Sequence, residues 1–371
     1  MNLCVEIQST PDTGNSRGMF DGIKKAIGTY TVQVLTTQNI NWLPIMFELD
    51  EPPSKEDLSK AISHISPGKA PGLDGIPAEV FKCSGNQLFD NLHQLIYKCW
   101  EEGYVPQEMM DSIISTLYKN KGDRNHRNNY RGISLLCIAG KLFARVAFYR
   151  LQNIAERVYA ESQCGFRSNR LTVDMIFSLR QLQEKCKEQQ QPLYIAFIDL
   201  TKAFDLVSRD GLFKILPLLG YPPKLLSLIK SLHDGSRGTV QYDENRFESF
   251  DINSGVKQGC VLAPTLFNIF LSVLLNHAFK SSEEGILIRS RSDGKLFNPT
   301  RLRAKTKVRK VAIRDLLFAD DVALVAHSAE KLQLLLNQFS DAFSQPATQP
   351  VSQQSVSSYL ATQLPVGHHV G

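Results

Sequence analysis

Hydrophobic and polar residues follow one another in patterns that predict strands beside two groups of acidic residues. The continuous apolar run LYIAFI, from Leu193 to Ile198, predicts a buried strand, and Asp199 follows it directly. Two further apolar runs flank Asp320 and Asp321, which predicts a β-hairpin with both carboxylates at its tip. Because an ionised carboxylate at the end of a buried strand is costly unless it is paired or binds a metal, these aspartates are candidates for chemistry.

Apolar residues spaced three and four apart predict helices in much of the remaining chain. Ser54 caps a helix in which Leu58, Ile62 and Ile65 share one face. Further helices are predicted at Asn86 to Trp100, Lys141 to Ala155, a long stretch that begins near Pro264, and Ala329 to Phe343. The longest apolar tract, residues 260–279, is interrupted by polar side chains, which favours a buried helix over a membrane span.

Composition permits a packed core in a chain of 371 residues, since 43% are hydrophobic and 21% are charged. The seven cysteines are scattered without a C-x-x-C pair, which indicates a reducing compartment and no zinc site. The first residues lack a basic region followed by an apolar core, so no secretory signal is predicted. Residues 342–371 contain no Lys, Arg, Asp or Glu, and we expect a largely disordered tail over residues 344–371.

Basic residues are concentrated in two segments, although the net charge of the chain is only +5. Residues 119–131 contain five Lys or Arg and one acid, and residues 289–314 contain ten and one. A single run of charge is usually a solvated loop, but two such runs favour a polyanionic partner such as nucleic acid. The candidate contacts in the second segment are Arg301, Arg303, Lys305 and Lys307.

The aspartates offer a specific chemistry if folding brings them together, since Asp199 and Asp320 are 121 positions apart. A strand-end carboxylate plus a hairpin-tip pair could hold two metal ions for phosphoryl transfer, one at the attacking oxygen and one at the leaving group. A solvated Asp-Asp turn is the alternative for Asp320 and Asp321 taken alone.

Six stretches resemble the reverse transcriptase domain of non-LTR (LINE-type) retrotransposons. They are SPGKAPGLDGIPAEVFK, NYRGISLL, QCGFRSNRLTVDMIF, AFIDLTKAFDLV, GVKQGCVLAPTLFNIFL and LLFADDVALVA, in the family's order, over roughly residues 50 to 340. The resemblance implies an α+β fold: the fingers and palm of a right-hand polymerase, with a palm of antiparallel strands packed on helices. It also implies RNA-directed DNA synthesis.

The matching stretches and the composition together predict four regions. Residues 1–49 are an N-terminal segment of unclear structure, and residues 50–192 form the fingers and the border of the palm. Residues 193–343 form the palm with the catalytic motifs, and residues 344–371 form the tail. Past Phe343 the family's palm-closing strand and helical thumb have no counterpart here, so the domain is expected to be truncated after the Asp-Asp motif with the thumb missing.

Catalytic roles follow from the same matches. Asp199, Asp320 and Asp321 match the family's catalytic aspartates, which implies that they hold two Mg²⁺ ions, with Mn²⁺ as a possible substitute. Phe204 matches the aromatic ring that crowds out a ribose 2′-hydroxyl, since that hydroxyl finds neither room nor a hydrogen-bond partner there. A plain core phenylalanine is the alternative.

Other matches concern the substrates: RNA template, DNA primer and deoxynucleoside triphosphates. Gln258 and Gly259 match a loop beside the nascent base pair, where a Cβ would collide. Lys119 and Arg131 resemble residues that contact the incoming nucleotide. The basic pair in QCGFRSNR, Arg167 and Arg170, is expected to touch template phosphates, with solvated surface as the alternative. The oligomeric state is not predicted, and no membrane contact is expected.

Two other functions share parts of this pattern. A catalytically inactive remnant could bind nucleic acid through its basic segments, with an affinity that falls steeply with salt. An RNA-dependent RNA polymerase could use the same carboxylates, but Phe204 argues against it because that class needs room for the 2′-hydroxyl. A retrotransposon polymerase is expected in the cytoplasm or nucleus, and not to be secreted.

The polymerase interpretation makes a geometric prediction. Asp199 should lie close to Asp320, and at least one of the three aspartates should have a raised pKa because like charges disfavour ionisation. Phe204 should face the same cleft, the cleft should be open where a thumb would stand, and residues after about Ser344 should pack against nothing substantial.

Overall fold

A computed structural model of the protein describes residues 44–200, 202–205, 207–242, 245–280, 282, 284–291, 308–344 and 357–363. The helices are α1 (Lys55–Ser63), α2 (Ala78–Lys82), α3 (Asn86–Glu102), α4 (Gln107–Met110), α5 (Ile138–Val158), α6 (Thr172–Glu188), α7 (Arg209–Leu218), α8 (Pro223–Ser231), α9 (Ala263–Ala278) and α10 (Ala329–Ser344). The strands are β1 (Ser112–Tyr118), β2 (Tyr130–Leu136), β3 (Tyr194–Asp199), β4 (Arg237–Tyr242), β5 (Asn245–Arg246), β6 (Phe250–Asp251), β7 (Ile286–Arg291), β8 (Val308–Ile313), β9 (Asp315–Phe318), β10 (Asp321–Ala326) and β11 (Ser357–Gln363).

The described residues form a mixed fold of helices and sheets, which confirms the predicted class at that level. A five-stranded sheet runs in the order β2-β1-β4-β5, with β6 also paired to β4. A four-stranded sheet runs in the order β11-β3-β10-β9, and β7 and β8 form a separate ribbon. The second sheet carries the three aspartates, so it positions the candidate chemistry.

Both faces of the β3–β10 pair are covered, which explains the continuous apolar runs in the sequence. Ala196 and Ile198 of β3 lie in the main hydrophobic core together with Leu324 of β10. Ile195 and Val325 point to the opposite face and join a smaller core beside α6 and β7. A one-residue slip in register would exchange the two faces, so packing on both sides determines the register.

The predicted helices are confirmed, with small differences at their ends. Ser54 caps α1 in a capping box with Asp57, and α3 ends at Gly103 with φ of +65°, a left-handed conformation that glycine adopts readily. Helix α9 starts with Pro264 in its first turn and is buried on most of its surface. No helix in the described part of the chain is long and apolar enough to cross a membrane.

The tail differs from expectation. Residues 344–371 were predicted to be largely disordered and to pack against nothing substantial, but Ser357–Gln363 forms β11, which pairs antiparallel with β3 and places Ser357 opposite Asp199. The edge of β3 that β10 leaves open offers a row of backbone donors and acceptors, and such an edge recruits another strand. The rest of the tail lies outside the described residues, as does nearly all of the segment 1–49.

A buried lysine next to a buried histidine supports the loop before α9. Lys257 donates hydrogen bonds from Nζ to the carbonyls of Met110 (2.7 Å) and Leu232 (2.6 Å), and burial lowers its pKa to about 8. His233 is 1% exposed, and burial, followed by the charge of Lys257, lowers its pKa to about 3. The folded protein therefore holds this imidazole neutral.

Acid should destabilise the fold through His233. Because its folded pKa of about 3 lies below the unfolded value of 6.5, the unfolded chain binds more protons between these limits, so stability is lost as pH falls through that window. We expect the His233 contribution to the free energy of unfolding to be about 2 kcal/mol smaller at pH 5 than at pH 7. Urea unfolding at both pH values measures it.

The matched variants isolate this contribution from other titrating groups. His233→Gln should show a weaker pH dependence than the wild type, whereas His277→Gln, which changes an exposed histidine, should keep the wild-type dependence. The same slope in wild type and His233→Gln would contradict the prediction.

Candidate functional site

The strand register brings the aspartates together, as predicted. Strands β3 and β10 are antiparallel, and Asp321 is the direct partner of Asp199. Phe318 pairs with Asp321 across the β9–β10 hairpin, so Ala319 and Asp320 form its two-residue turn. Asp321, predicted at the tip together with Asp320, is instead the first residue of β10. Side chains directly opposite on neighbouring strands have Cβ atoms about 4.5–5.5 Å apart, so two carboxylates share one face at the end of the sheet.

The electrostatics match the expected raised pKa. Partial burial raises the pKa of Asp320, the charge of Asp199 raises it further, and Arg131 partly opposes the shift. Burial likewise raises the pKa of Asp321, with the charges of Asp320 and Asp199 adding to it. Like charges directly opposite one another destabilise a sheet, so the site stores unfavourable electrostatic energy that a cation would relieve.

The carboxylate oxygens of these aspartates are suitable ligands for a hard divalent cation. Mg²⁺ prefers carboxylate oxygens and is usually held by one or two protein carboxylates plus substrate phosphates and water. Among the residues that the structure describes, no three His, Cys, Asp or Glu side chains gather closely enough to hold a metal ion by themselves. A Mg²⁺ ion at these aspartates would therefore need further ligands, such as phosphate oxygens or water.

The turn that carries Asp320 is held in a strained conformation. Ala319 has φ of +57°, which is uncommon for a residue with a Cβ. Gln163, which is fully buried, accepts a hydrogen bond from the Ala319 N–H (2.8 Å) and donates one to the Ala319 carbonyl (3.1 Å). Sequence reasoning missed Gln163, because 156 positions separate it from its partner and no local pattern marks it.

The backbone around Gln163 runs alongside the hairpin. The N–H of Cys164 donates to the carbonyl of Leu317 (2.9 Å), and the N–H of Leu317 donates to the carbonyl of Ser162 (3.1 Å). At Gly165, an added Cβ would lie 2.0 Å from the Ala319 nitrogen, so only glycine fits. The QCGFR stretch therefore supports the hairpin directly.

Phe204 is half-buried in an aromatic cluster. Its ring stacks on Phe267 (centroids 4.9 Å apart) and meets the edge of Phe166 (6.1 Å). Phe166 follows Gly165, the residue that packs on the hairpin turn, so the ring is linked to the same support as Asp320. This packing limits the movement of the ring, and its contact with a nucleotide sugar stays a prediction.

Gln258 and Gly259 lie against β2. The N–H of Ser134 donates to the Gln258 carbonyl (2.7 Å), and a Cβ at Gly259, whose φ is +109°, would lie 2.7 Å from the Ser134 carbonyl oxygen. The resemblance implies a base pair where this Cβ would collide. In the structure, strand β2 alone accounts for the glycine, and contact with a base pair stays a prediction.

Two other candidate residues differ in their surroundings. Arg131 is exposed on β2 and lies near enough to Asp320 to lower the pKa of that carboxyl. Lys119 is exposed, but its Nζ donates to the carbonyl of Asn128 (2.9 Å) within the loop between β1 and β2. Arg131 is therefore the better placed of the two to meet an anionic ligand at the aspartates.

The basic residues predicted to touch a template are held by carboxylates. Arg167 has a side chain only 11% exposed, pairs with Glu156 (3.2 Å) and lies over the ring of Tyr159. Arg170 forms an ion pair with Glu161. These partners give both side chains a structural role, and template contact stays a prediction. The remaining candidates, Arg301, Arg303, Lys305 and Lys307, lie outside the described residues.

Comparison with known proteins finds similarity to one polymerase family and to proteins of transposable elements. A model of the family described as "Reverse transcriptase (RNA-dependent DNA polymerase)" matches residues 118–348, more than half of the chain. The chain is 25% identical over 296 residues to an uncharacterized 149 kDa protein of transposon TX1 from Xenopus laevis, covering 78% of this chain and 21% of that protein.

Two further relatives match at a similar level of sequence identity. The RNA-directed DNA polymerase from mobile element jockey of Drosophila funebris is 29% identical over 248 residues, covering 66% of this chain and 27% of that protein. The Pol polyprotein from type-1 retrotransposable element R2 of Popillia japonica is 29% identical over 231 residues, covering 60% and 30%. The chain thus spans between about a fifth and a third of the length of these three curated relatives.

Proposed function

The chain belongs to the reverse transcriptase (RNA-dependent DNA polymerase) family, with non-LTR retrotransposon relatives, and from this premise we propose that it copies RNA into DNA. In this reaction the 3′-hydroxyl of a DNA primer would lose its proton and attack the α-phosphate of a deoxynucleoside triphosphate, and pyrophosphate would leave. The sheet that carries the aspartates would be the palm, and the β1–β2 sheet would be the fingers. The observation that carries the proposal is the register that sets Asp199 opposite Asp321, beside the turn with Asp320.

The three carboxylates would hold two divalent ions together with the triphosphate. When bound, these ions would lower the pKa of the primer 3′-hydroxyl and would neutralise negative charge on the transferred and leaving phosphates. Asp199 and Asp321 share one sheet face and would orient this assembly, and Asp320 would reach it from the turn. Arg131 contributes a positive charge on the same side, where phosphate charge would arrive.

The sugar of the incoming nucleotide would meet Phe204. Its ring is confined by Phe267 and Phe166, so it cannot easily move aside for a 2′-hydroxyl. A confined apolar ring also offers that hydroxyl no hydrogen-bond partner, which would favour deoxyribonucleotides. This selectivity is what separates a DNA polymerase from an RNA polymerase built on the same carboxylates.

Primer extension tests the proposal. The purified chain, an RNA template with an annealed DNA primer, and Mg²⁺ should incorporate deoxynucleotides, and a chelator should stop the reaction. Ribonucleotides used as fast as deoxyribonucleotides would replace the proposal with an RNA polymerase. RNA binding that falls steeply with salt, without any extension in Mg²⁺ or Mn²⁺, would replace it with the inactive nucleic-acid-binding remnant.

A further inference from the structure

We propose that Gln163 is a positioning residue for metal binding, whose buried side-chain amide holds the Ala319–Asp320 turn in the conformation that presents the aspartates. This inference rests on the proposed function, because it concerns the same carboxylates. It assigns a role to a residue that itself touches neither substrate nor metal.

Gln163 makes hydrogen bonds to both backbone polar groups of Ala319 and to the N–H of Gly165. Its Oε1 accepts from the N–H groups of Ala319 and Gly165, both at 2.8 Å, and its Nε2 donates to the Ala319 carbonyl at 3.1 Å. An amide carries a donor and an acceptor at fixed separation, so it can bind both the N–H and the C=O of one residue. A carboxylate, a hydroxyl or an apolar side chain cannot reproduce this pair of bonds.

The residue that Gln163 binds is the one that most needs restraint. Ala319 has φ of +57°, and a residue with a Cβ leaves this region unless neighbouring groups hold it there. Asp320 is the next residue and Asp321 begins β10, so a relaxation of Ala319 would re-aim Asp320 directly. The strain and the restraint therefore lie immediately before the carboxylates.

The restraint is itself anchored in the core. Asn268, fully buried on α9, donates from Nδ2 to the carbonyl of Gly165 (2.8 Å). Gly165 lies so close to Ala319 that no Cβ fits between them. A continuous path of buried contacts therefore runs from α9 through Gly165 and Gln163 to the turn, and misplacement of a catalytic group by about 1 Å can cost about 10²-fold in rate.

The test compares Gln163→Met with the matched control Gln181→Met, which makes the same change at another buried glutamine, on α6. Hydrogen exchange of the Ala319 and Gly165 amides should accelerate in Gln163→Met and stay unchanged in Gln181→Met. The melting temperature should also be measured at increasing Mg²⁺ concentrations. The Mg²⁺ concentration that gives half of the maximal rise should be about 10-fold higher in Gln163→Met and unchanged in Gln181→Met, since stabilisation by a ligand follows its affinity. In primer extension, kcat should fall by about 10²-fold, with KM for template and primer nearly unchanged.

Two further variants keep the test informative if Gln163→Met folds poorly. Gln163→Asn retains the amide but is one methylene shorter, so it should show an intermediate loss. Ala319→Gly placed in the Gln163→Asn chain should restore part of the Mg²⁺ affinity, because glycine adopts positive φ without the restraint. Restoration by a change at the turn is not expected if Gln163 serves only general stability.

The outcomes are distinguishable. A lower melting temperature with unchanged Mg²⁺ affinity and kcat would overturn the proposal and leave Gln163 a structural residue. If the amides of Ala319 and Gly165 exchange equally fast in wild type and in Gln163→Met, Gln163 does not restrain the turn, and the proposal is overturned. A wild-type chain that neither binds Mg²⁺ nor extends a primer would refute the proposed function, and with it any role of Gln163 in metal binding.

Discussion

Asp320→Asn is expected to abolish Mg²⁺-dependent DNA synthesis while raising the melting temperature of the metal-free protein. The activity loss follows from removal of a charged ligand for the ions, and we expect it to reach at least about 10³-fold, comparable to the loss of a group that stabilises transition-state charge. Primer extension on an RNA template under saturating deoxynucleotides measures this effect.

The gain in stability has a separate cause. Burial and the charge of Asp199 raise the pKa of Asp320 in the folded protein, so the folded state binds more protons than the unfolded state above pH 3.8. Stability is therefore lost as pH rises through the folded pKa, and removal of the charge recovers it. Since Asp320 is partly solvated, screening should limit the gain to roughly 1 kcal/mol or less, which for a chain of this length raises the melting temperature by about 1–2 °C at most.

Asp341→Asn is the matched control, since it removes an exposed carboxylate from α10. It should leave both synthesis and melting temperature close to wild type. Mg²⁺ should raise the melting temperature of the wild type and of Asp341→Asn more than that of Asp320→Asn. Equal incorporation by wild type and Asp320→Asn would rule out catalysis at this site.

Phe204→Val is expected to cost most of the discrimination between deoxyribonucleotides and ribonucleotides. The shorter side chain opens space where the 2′-hydroxyl would lie, while the neighbouring rings Phe267 and Phe166 keep the rest of the wall in place. A steric pocket of this kind discriminates by about 10²-fold, so the ratio of kcat/KM values should fall by about that factor.

The matched control for this prediction is Phe213→Val, which truncates another half-buried phenylalanine, on α7, packed against the same core. It should lower stability to a similar extent and leave the nucleotide preference unchanged. A preference in Phe204→Val equal to that of the wild type would identify Phe204 as a core residue only.

Local pattern was enough to predict the elements that carry the site. The apolar run up to Ile198 predicted β3, and the two runs around Asp320 predicted the β9–β10 hairpin, because burial on both faces selects continuous apolar strands. The capping pattern at Ser54 predicted the start of α1 in the same way. These features depend on neighbours in sequence, which is why they are visible there.

Contacts between distant segments were not predictable from those patterns. Arg167 and Arg170 carry the charge expected of template contacts, and only the fold shows the carboxylates that hold them. Gly259 signals a close approach of backbone, and only the fold shows that Ser134 makes it. The strand β11 likewise depends on the open edge of β3, a property of the assembled sheet.

The sequence by itself determined which residues could do the chemistry: three aspartates at strand ends, an aromatic residue after the first of them, and a family pattern around both. Tertiary structure decided that Asp199 lies opposite Asp321, and that a glutamine 156 positions from Ala319 holds the turn immediately before Asp321. The physical reason is that periodicity and turn chemistry act over a few residues. Register and buried hydrogen bonds are chosen by packing across the whole core, where a strained turn persists only because its surroundings hold it.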